Sequence, residues 1–190
     1  MKVLITGGTG FVGSSLVKHL AEHNHQVVVV SRQEYSPQKS IAYSRLPESE
    51  QIFPRQLLAQ TDAIINLGGH NISQGRWSKT VKNRILESRL QLTEKIVKSI
   101  RKNKEEGLVY PKVLVNASAV GYYGIHSHHV FSEESQAGQG FLAEVCRRWE
   151  EAAQEAEKLK VRVVILRLGV VLVALLVVVN SGVPGFTGMM

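Results

Sequence analysis

The sequence predicts an α/β fold, a doubly wound parallel sheet with helices on both faces, and three observations predict it. Short apolar runs alternate with longer amphipathic stretches along the chain. The second of those runs contains four consecutive valines, Val27 to Val30, the mark of a strand covered on both faces. A glycine-rich loop, Thr6 to Gly13, joins the first apolar run to the first amphipathic one. Such alternation feeds parallel strands through right-handed crossovers.

Taken in order, Val3 to Thr6 reads as a buried strand. Phe11 to His23 reads as a helix with Leu16, Val17 and Leu20 on one face. Gln26 to Ser31 is the second strand. Arg32 to Pro54 is polar and carries Pro37, Pro47 and Pro54, so it reads as a long irregular connection with a weak strand near Ile41 to Tyr43. Gln56 to Gln60 makes one helical turn, and Asp62 to Leu67 is a buried strand stopped by Gly68 and Gly69. Ser78 to Asn103 is the longest helix, with Val81, Ile85, Leu92, Ile96 and Ile100 spaced near 3.6. Lys112 to Ala117 is a strand. Phe141 to Leu159 is a helix with Leu142, Val145, Cys146, Trp149, Ala153 and Ala156 inward, and Val161 to Leu166 is the last clear strand.

The 190 residues suit one domain of ordinary size. The single cysteine, Cys146, excludes an internal disulfide and a zinc cluster of several thiolates. The net charge is +7, but the basic residues are spread along the chain. No zinc-finger spacing and no aromatic RNA-binding signature appears, so nucleic acid is not an expected partner. His126, His128 and His129 lack an acidic residue at ligand spacing and read as a polar loop, so no metal is expected. No targeting segment is legible at the start. The apolar run Val161 to Val179 is broken by Arg162 and Arg167, and its uncharged part falls short of the roughly 20 residues of a bilayer span. A cytoplasmic protein with no membrane contact is expected.

The loop Thr6-Gly7-Gly8-Thr9-Gly10-Phe11-Val12-Gly13 carries the chemistry. Gly7 lets the chain turn sharply out of the strand, Gly10 lets a pyrophosphate approach the backbone, and Gly13 lets the helix pack on the sheet. Free amides and the positive end of the helix then face the phosphates. The spacing is GxxGxxG. About 20 residues beyond such a loop, a site selective for NAD places a carboxylate on the ribose 2′-hydroxyl. Ser31 and Arg32 stand there instead. A guanidinium pairs with a 2′-phosphate, so the expected cofactor is NADP.

Five motifs occur in order: Thr6-Gly-Gly-Thr-Gly-Phe-Val-Gly13, Asp62-Ala-Ile-Ile-Asn-Leu-Gly-Gly69, Gly121-Tyr-Tyr-Gly124, Phe141-Leu-Ala-Glu-Val-Cys146 with Trp149-Glu150, and Leu166-Arg-Leu-Gly-Val-Val-Leu172. Together they resemble the atypical short-chain dehydrogenase/reductase proteins called the epimerase family, SDR family 39, relatives of the nucleotide-sugar epimerases. The resemblance spans about residues 1–172. It implies an NADP-binding Rossmann domain followed by a smaller substrate domain. It places Gly7, Thr9, Gly10, Phe11, Val12 and Gly13 at the pyrophosphate, and Ser31 and Arg32 at the 2′-phosphate. Leu67 and Gly68 pass under the adenine ribose, and Arg89 takes another cofactor-contacting position.

The wider superfamily works with a Ser, a Tyr and a Lys, the last two four apart on a helix. In the alignment that the resemblance gives, Leu142 takes the Tyr place and Cys146 the Lys place, so the usual relay is absent. Ser118, after the fifth strand, is the matching serine in one register, and Ala119 in the other. Tyr122 and Tyr123 are the nearest phenols to the nicotinamide end and are candidate proton donors. Asn66, Asn71 and Trp77 fall near the other strand end, where a ligand would lie.

Relatives continue beyond Leu172 with about a hundred further residues, so most of a C-terminal substrate domain is expected to be missing, and residues 173–190 read as a divergent tail. The expected function is that of an NADP-binding oxidoreductase or epimerase-like protein acting on a nucleotide sugar or another small carbonyl or alcohol. The alternative is a catalytically silent NADP sensor or partner-binding protein. The expected partners are a small-molecule substrate and, in a homodimer, a second copy of the chain.

Overall fold

Consecutive parallel strands need crossovers, and the chain supplies them in the order the apolar runs predict. The computed structural model describes residues 1–36, 40–47, 49–73, 76–125 and 130–171. The elements are β1 (Lys2–Thr6), α1 (Phe11–Glu22), β2 (Gln26–Ser31), β3 (Ile41–Arg45), α2 (Arg55–Ala59), β4 (Ala63–Asn66), α3 (Lys79–Glu105), β5 (Val113–Ala119), α4 (Phe141–Gln154) and β6 (Arg162–Leu168). Two 3-10 turns cover Val120–Tyr123 and Glu157–Leu159. The sheet runs β3-β2-β1-β4-β5-β6, and each neighbouring pair is parallel. The chain thus forms a doubly wound sheet that reverses direction between β1 and β4.

Alternate residues of each strand feed opposite layers. Val3, Ile5, Val27 and Val29 meet Val17 of α1 on one face. Leu4, Val30, Ile64 and Leu114 meet Ile96 and Ile100 of α3 and Ala153 of α4 on the other. Helix α3 starts where Ser78 Oγ accepts the Val81 N–H, an N-cap that satisfies one orphan amide of the first turn.

Several boundaries move for identifiable reasons. Strand β3 extends to Arg45 because it pairs with β2 as far as Ser31. Strand β5 extends to Ala119, in register with Leu168, so Ser118 lies inside the strand and not after it. The last helix ends at Gln154 and a 3-10 turn follows, reversed by Lys160 at φ 63°. Strand β4 stops at Asn66, so Leu67 and Gly68 follow the strand. The proline at 37, the histidines at 126, 128 and 129, and the tail over 173–190 lie outside the described residues.

Candidate functional site

The loop between β1 and α1 is tightly built at both ends and open in its middle. Gly7 has φ +70°, and a Cβ there would lie 2.6 Å from the Leu67 carbonyl oxygen. A Cβ on Gly13 would lie 2.2 Å from the Gly7 carbonyl oxygen and 2.8 Å from Gly8 Cα. Glycine at these positions is therefore demanded by the protein's own backbone. Gly10 differs: it is the N-cap of α1 at φ −79°, ψ 178°, which any residue adopts. A Cβ on it would meet one atom within 4 Å, the Gly7 carbonyl oxygen at 3.2 Å, a tight contact where those at Gly7 and Gly13 are overlaps. No side chain caps α1, and no acidic residue stands in its first turn. Thr9, Gly10 and Phe11 are exposed and Val12 is half-buried. The first amides of α1 are thus left for solvent or for an anion. That arrangement fits a dinucleotide pyrophosphate.

At the end of β2, Ser31 Oγ accepts the Gln33 N–H at 3.1 Å, and Arg32 is exposed. Across the first sheet neighbour, Gly68 is buried, and a Cβ there would lie 2.2 Å from Leu92 Cδ2. Arg89 reaches the same rim from α3. Its Nη1 donates to the His70 and Ile85 carbonyls at 3.1 and 2.8 Å, and the guanidinium lies 5.1 Å from the Trp149 ring centroid. Burial lowers its pKa. Arg89 is therefore a partly desolvated cation facing the strand ends, unlike a solvated helix arginine.

Beneath this rim runs a buried polar chain. Thr6 Oγ1 donates to Asn66 Oδ1, and Asn66 Nδ2 donates to Thr93 Oγ1 and to Asn116 Oδ1. Trp149 Nε1 also donates to Thr93 Oγ1. Asn66 is fully buried, so it ties β1, β4, β5 and α3 together and does not present itself to a ligand. Asn71 and Trp77 are exposed.

The third group surrounds Glu150 and Arg167. Glu150 is buried, and its Oε1 accepts from Ser118 Oγ at 2.5 Å and from Arg167 Nε at 3.0 Å. Its Oε2 accepts from Arg167 Nη2 at 2.8 Å. Arg167 Nη1 donates to the Tyr123 hydroxyl and to the Glu133 carbonyl, both at 2.9 Å. Its guanidinium lies 3.6 Å from the Tyr122 ring centroid. Hydrogen bonding to Glu150 raises the Arg167 pKa against the opposing effect of burial, so the cation is held. Ser118 and Tyr123 are thus tied into one network. Tyr122 is half-buried, and its hydroxyl makes no hydrogen bond to the described residues.

Cys146 is buried on α4, and its Sγ would lie 3.9 Å from a Cβ on Gly121. Burial pushes its thiol pKa up, opposed by hydrogen bonding from Ser118 and Ala119. Leu142 packs on the same glycine, at 3.4 Å. Glu150 and Arg167 have a legible signal: a single carboxylate on the inward face of α4, four residues from Cys146, and an arginine at the far end of an apolar strand from Arg162. A charge in each of two buried patterns asks for a partner.

Two clefts open on the surface. One of about 520 Å³ borders Tyr123, Phe131 and Gly138. A larger one, about 570 Å³, lies between Met1, Asn24 and Asp62 at the amino edge of the sheet. Parallel sheets bind ligands at the carboxyl edge, so the smaller cleft belongs to the site region and the larger does not. Among the described residues, no group of three or more His, Cys, Asp or Glu side chains is placed to hold a metal ion. No described helix is long and apolar enough to cross a membrane.

Comparison with known proteins gives the same rim a context. The model of the NAD dependent epimerase/dehydratase family matches residues 3–172. The epimerase family protein SDR39U1 homolog, chloroplastic, of Arabidopsis thaliana is 41% identical over 182 residues, covering 90% of this chain and 49% of that protein. The crystal structure of human epimerase family protein SDR39U1 (isoform2) with NADPH is similar at TM-score 0.68 and 30% identity, over 88% of this chain and 53% of the other. UDP-glucuronic acid 4-epimerase from Bacillus cereus, in complex with UDP-glucuronic acid and NAD, shares the fold at TM-score 0.70 and 17% identity, over 88% of this chain and 56% of the other. The chain spans about half the length of the curated relatives it matches.

Proposed function

Because the chain belongs to the NAD dependent epimerase/dehydratase family, we propose that it binds NADP and acts, as an oxidoreductase or epimerase-like protein, on a nucleotide sugar or another small carbonyl or alcohol. The observation that carries this reading is the uncapped N-terminus of α1 behind the glycine loop, exposed at Thr9, Gly10 and Phe11. Glycine at position 10 lets a pyrophosphate approach those amides closely. Gly7, Thr9, Gly10, Phe11, Val12 and Gly13 would hold the diphosphate. Ser31 and Arg32 would hold the 2′-phosphate, and the hydroxyl and guanidinium in place of a carboxylate favour NADP over NAD. Leu67 and Gly68 would underlie the adenine ribose, and Arg89 would supply a cation from α3. When bound, the nicotinamide would donate or accept hydride.

The proton would pass through a phenol. Of the three expected catalytic groups, Ser118 donates to Glu150 and Tyr123 accepts from Arg167. Tyr122 keeps its hydroxyl uncommitted, so we assign it the proton and give Ser118 and Tyr123 the task of positioning it. An NADPH fluorescence titration tests the cofactor reading, and no binding at millimolar cofactor removes it.

A second reading has its own observation. Leu142 and Cys146 pack on Gly121, and neither can supply the tyrosinate and ammonium of the usual relay. A silent NADP sensor would bind cofactor without turnover across a carbonyl panel. Hydride transfer abolished by Tyr122→Phe would exclude it. The homodimer and the cytoplasmic setting belong to the proposal, and light scattering of the purified chain tests the former.

A further inference from the structure

We propose that Arg45, at the end of β3, is a second recognition residue for the adenosine 2′-phosphate, and that Glu34 competes with the phosphate for it. The inference rests on the NADP reading and adds a selectivity element from a different strand. Ser31 and Arg45 are paired in the parallel register of β2 and β3, so their side chains leave the sheet on one face. That face is the α1 face. Val27 and Val29 of β2, and Ile41 and Tyr43 of β3, pack there with Val17 of α1. The glycine loop opens onto the same face. Arg45 therefore rises next to Ser31, its register partner at the end of β2.

The chain between the two strand ends folds back over them. Gln33 N–H is held by Ser31 Oγ, and the Tyr35 hydroxyl donates to Gln33 Oε1 at 3.3 Å. The Tyr35 ring stacks on Tyr43 at 5.2 Å and 27°. These contacts bring Glu34 to Arg45, Oε1 to Nη1 at 3.2 Å. The pair is single-pointed, and both side chains are largely in solvent, 56% exposed for Arg45 and 79% for Glu34. Water screens such a pair, so it holds Arg45 loosely. A phosphate offers more charge and several acceptor oxygens to the same planar fork. The phosphate would therefore take Arg45 from Glu34, and a cofactor without it would leave the ion pair in place.

The test is titration of the purified chain with NADPH and NADH by fluorescence, and competition by 2′,5′-ADP against 5′-AMP. Arg45→Gln should weaken NADPH and 2′,5′-ADP about tenfold, the loss of one charge-assisted contact, with NADH and 5′-AMP unchanged. Glu34→Gln should tighten NADPH about threefold, since it removes the competitor. The opposite signs are the discriminating readout. A purely structural ion pair would make both variants move binding in the same direction. Both side chains are exposed, and circular dichroism checks that both variants fold. If Arg45→Gln leaves the NADPH to NADH ratio within twofold while Arg32→Ala collapses it, the proposal is overturned and the NADP reading stands. If the unmodified chain prefers NADH or binds neither cofactor, both fall.

Discussion

Gly13→Ala and Gly10→Ala add the same methyl group three residues apart, yet the structure assigns them different routes to the same loss of binding. At Gly13 the new carbon would sit 2.2 Å from the Gly7 oxygen, with Gly8 Cα at 2.8 Å and the Gly7 carbonyl carbon at 2.9 Å. All three neighbours are backbone, so no side chain can swing aside. Relief requires the loop to move about 1 Å from α1, at a cost of about 1–3 kcal/mol for overpacking. An amide displaced that far loses its alignment with a bound diphosphate. Hydrogen bonds to charged groups are worth about 1.5–3 kcal/mol each, so losing two weakens NADPH by at least about 100-fold. At Gly10 the methyl meets a single oxygen at 3.2 Å and puts alanine in place of glycine at an N-cap, so stability should fall by about 1 kcal/mol. Binding should fall as well, because the methyl fills the space that a diphosphate needs. Urea denaturation gives the stability change, and NADPH fluorescence gives the affinity. If Gly10→Ala folds normally and binds NADPH within threefold of the unmodified chain, the cradle is not where the dinucleotide lies.

Three further expectations follow from the same geometry. Glu150→Gln leaves the Arg167 cation without its carboxylate in a buried setting, so the urea midpoint should fall by the equivalent of about 3 kcal/mol, the lower end for a broken buried pair because Arg167 keeps 19% exposure. A loss below about 1 kcal/mol would contradict this. Cys146, with its thiol pKa raised by burial, should react with a disulfide reagent far more slowly in the native chain than in urea. Its folded state keeps a proton that the unfolded chain releases near pH 8.5, so stability should decline as pH rises from there through the native pKa, and Cys146→Ala should lack that decline in urea titrations from pH 7 to 10.

Much of the architecture was legible because two periodicities carry it. Four valines in β2 and the 3.6-residue spacing of Ile85, Ile96 and Ile100 in α3 mark a doubly covered sheet in the sequence itself. The glycine loop was legible for the same reason, since its position between strand and helix is a matter of order along the chain. Strand ends were less so. Ser118 is polar, and period arguments end a strand where polarity begins, whereas pairing with β6 carries β5 through it to Ala119. The function of Asn66 was misread likewise: a polar residue at a strand end looks available, and only the positions of Thr6, Thr93 and Asn116 show it fully engaged. The Glu150 and Arg167 contact joins residues from different elements, and no local pattern encodes their distance.

Arg167 also sets an order of assembly. Its counter-charge, Glu150, leaves the ribosome 17 residues earlier, and at roughly 5–20 residues per second the carboxylate waits on the order of a second for its partner. Until then, the carboxylate on the apolar inner face of α4 lacks its cation, and the phenolic turn at 122–123 lacks the guanidinium that clasps it. The arrival of β6 therefore both extends the sheet beyond β5 and closes the region above it. A nascent chain halted just short of residue 167 would leave the Glu150 carboxylate without its guanidinium and the aromatic turn unclasped.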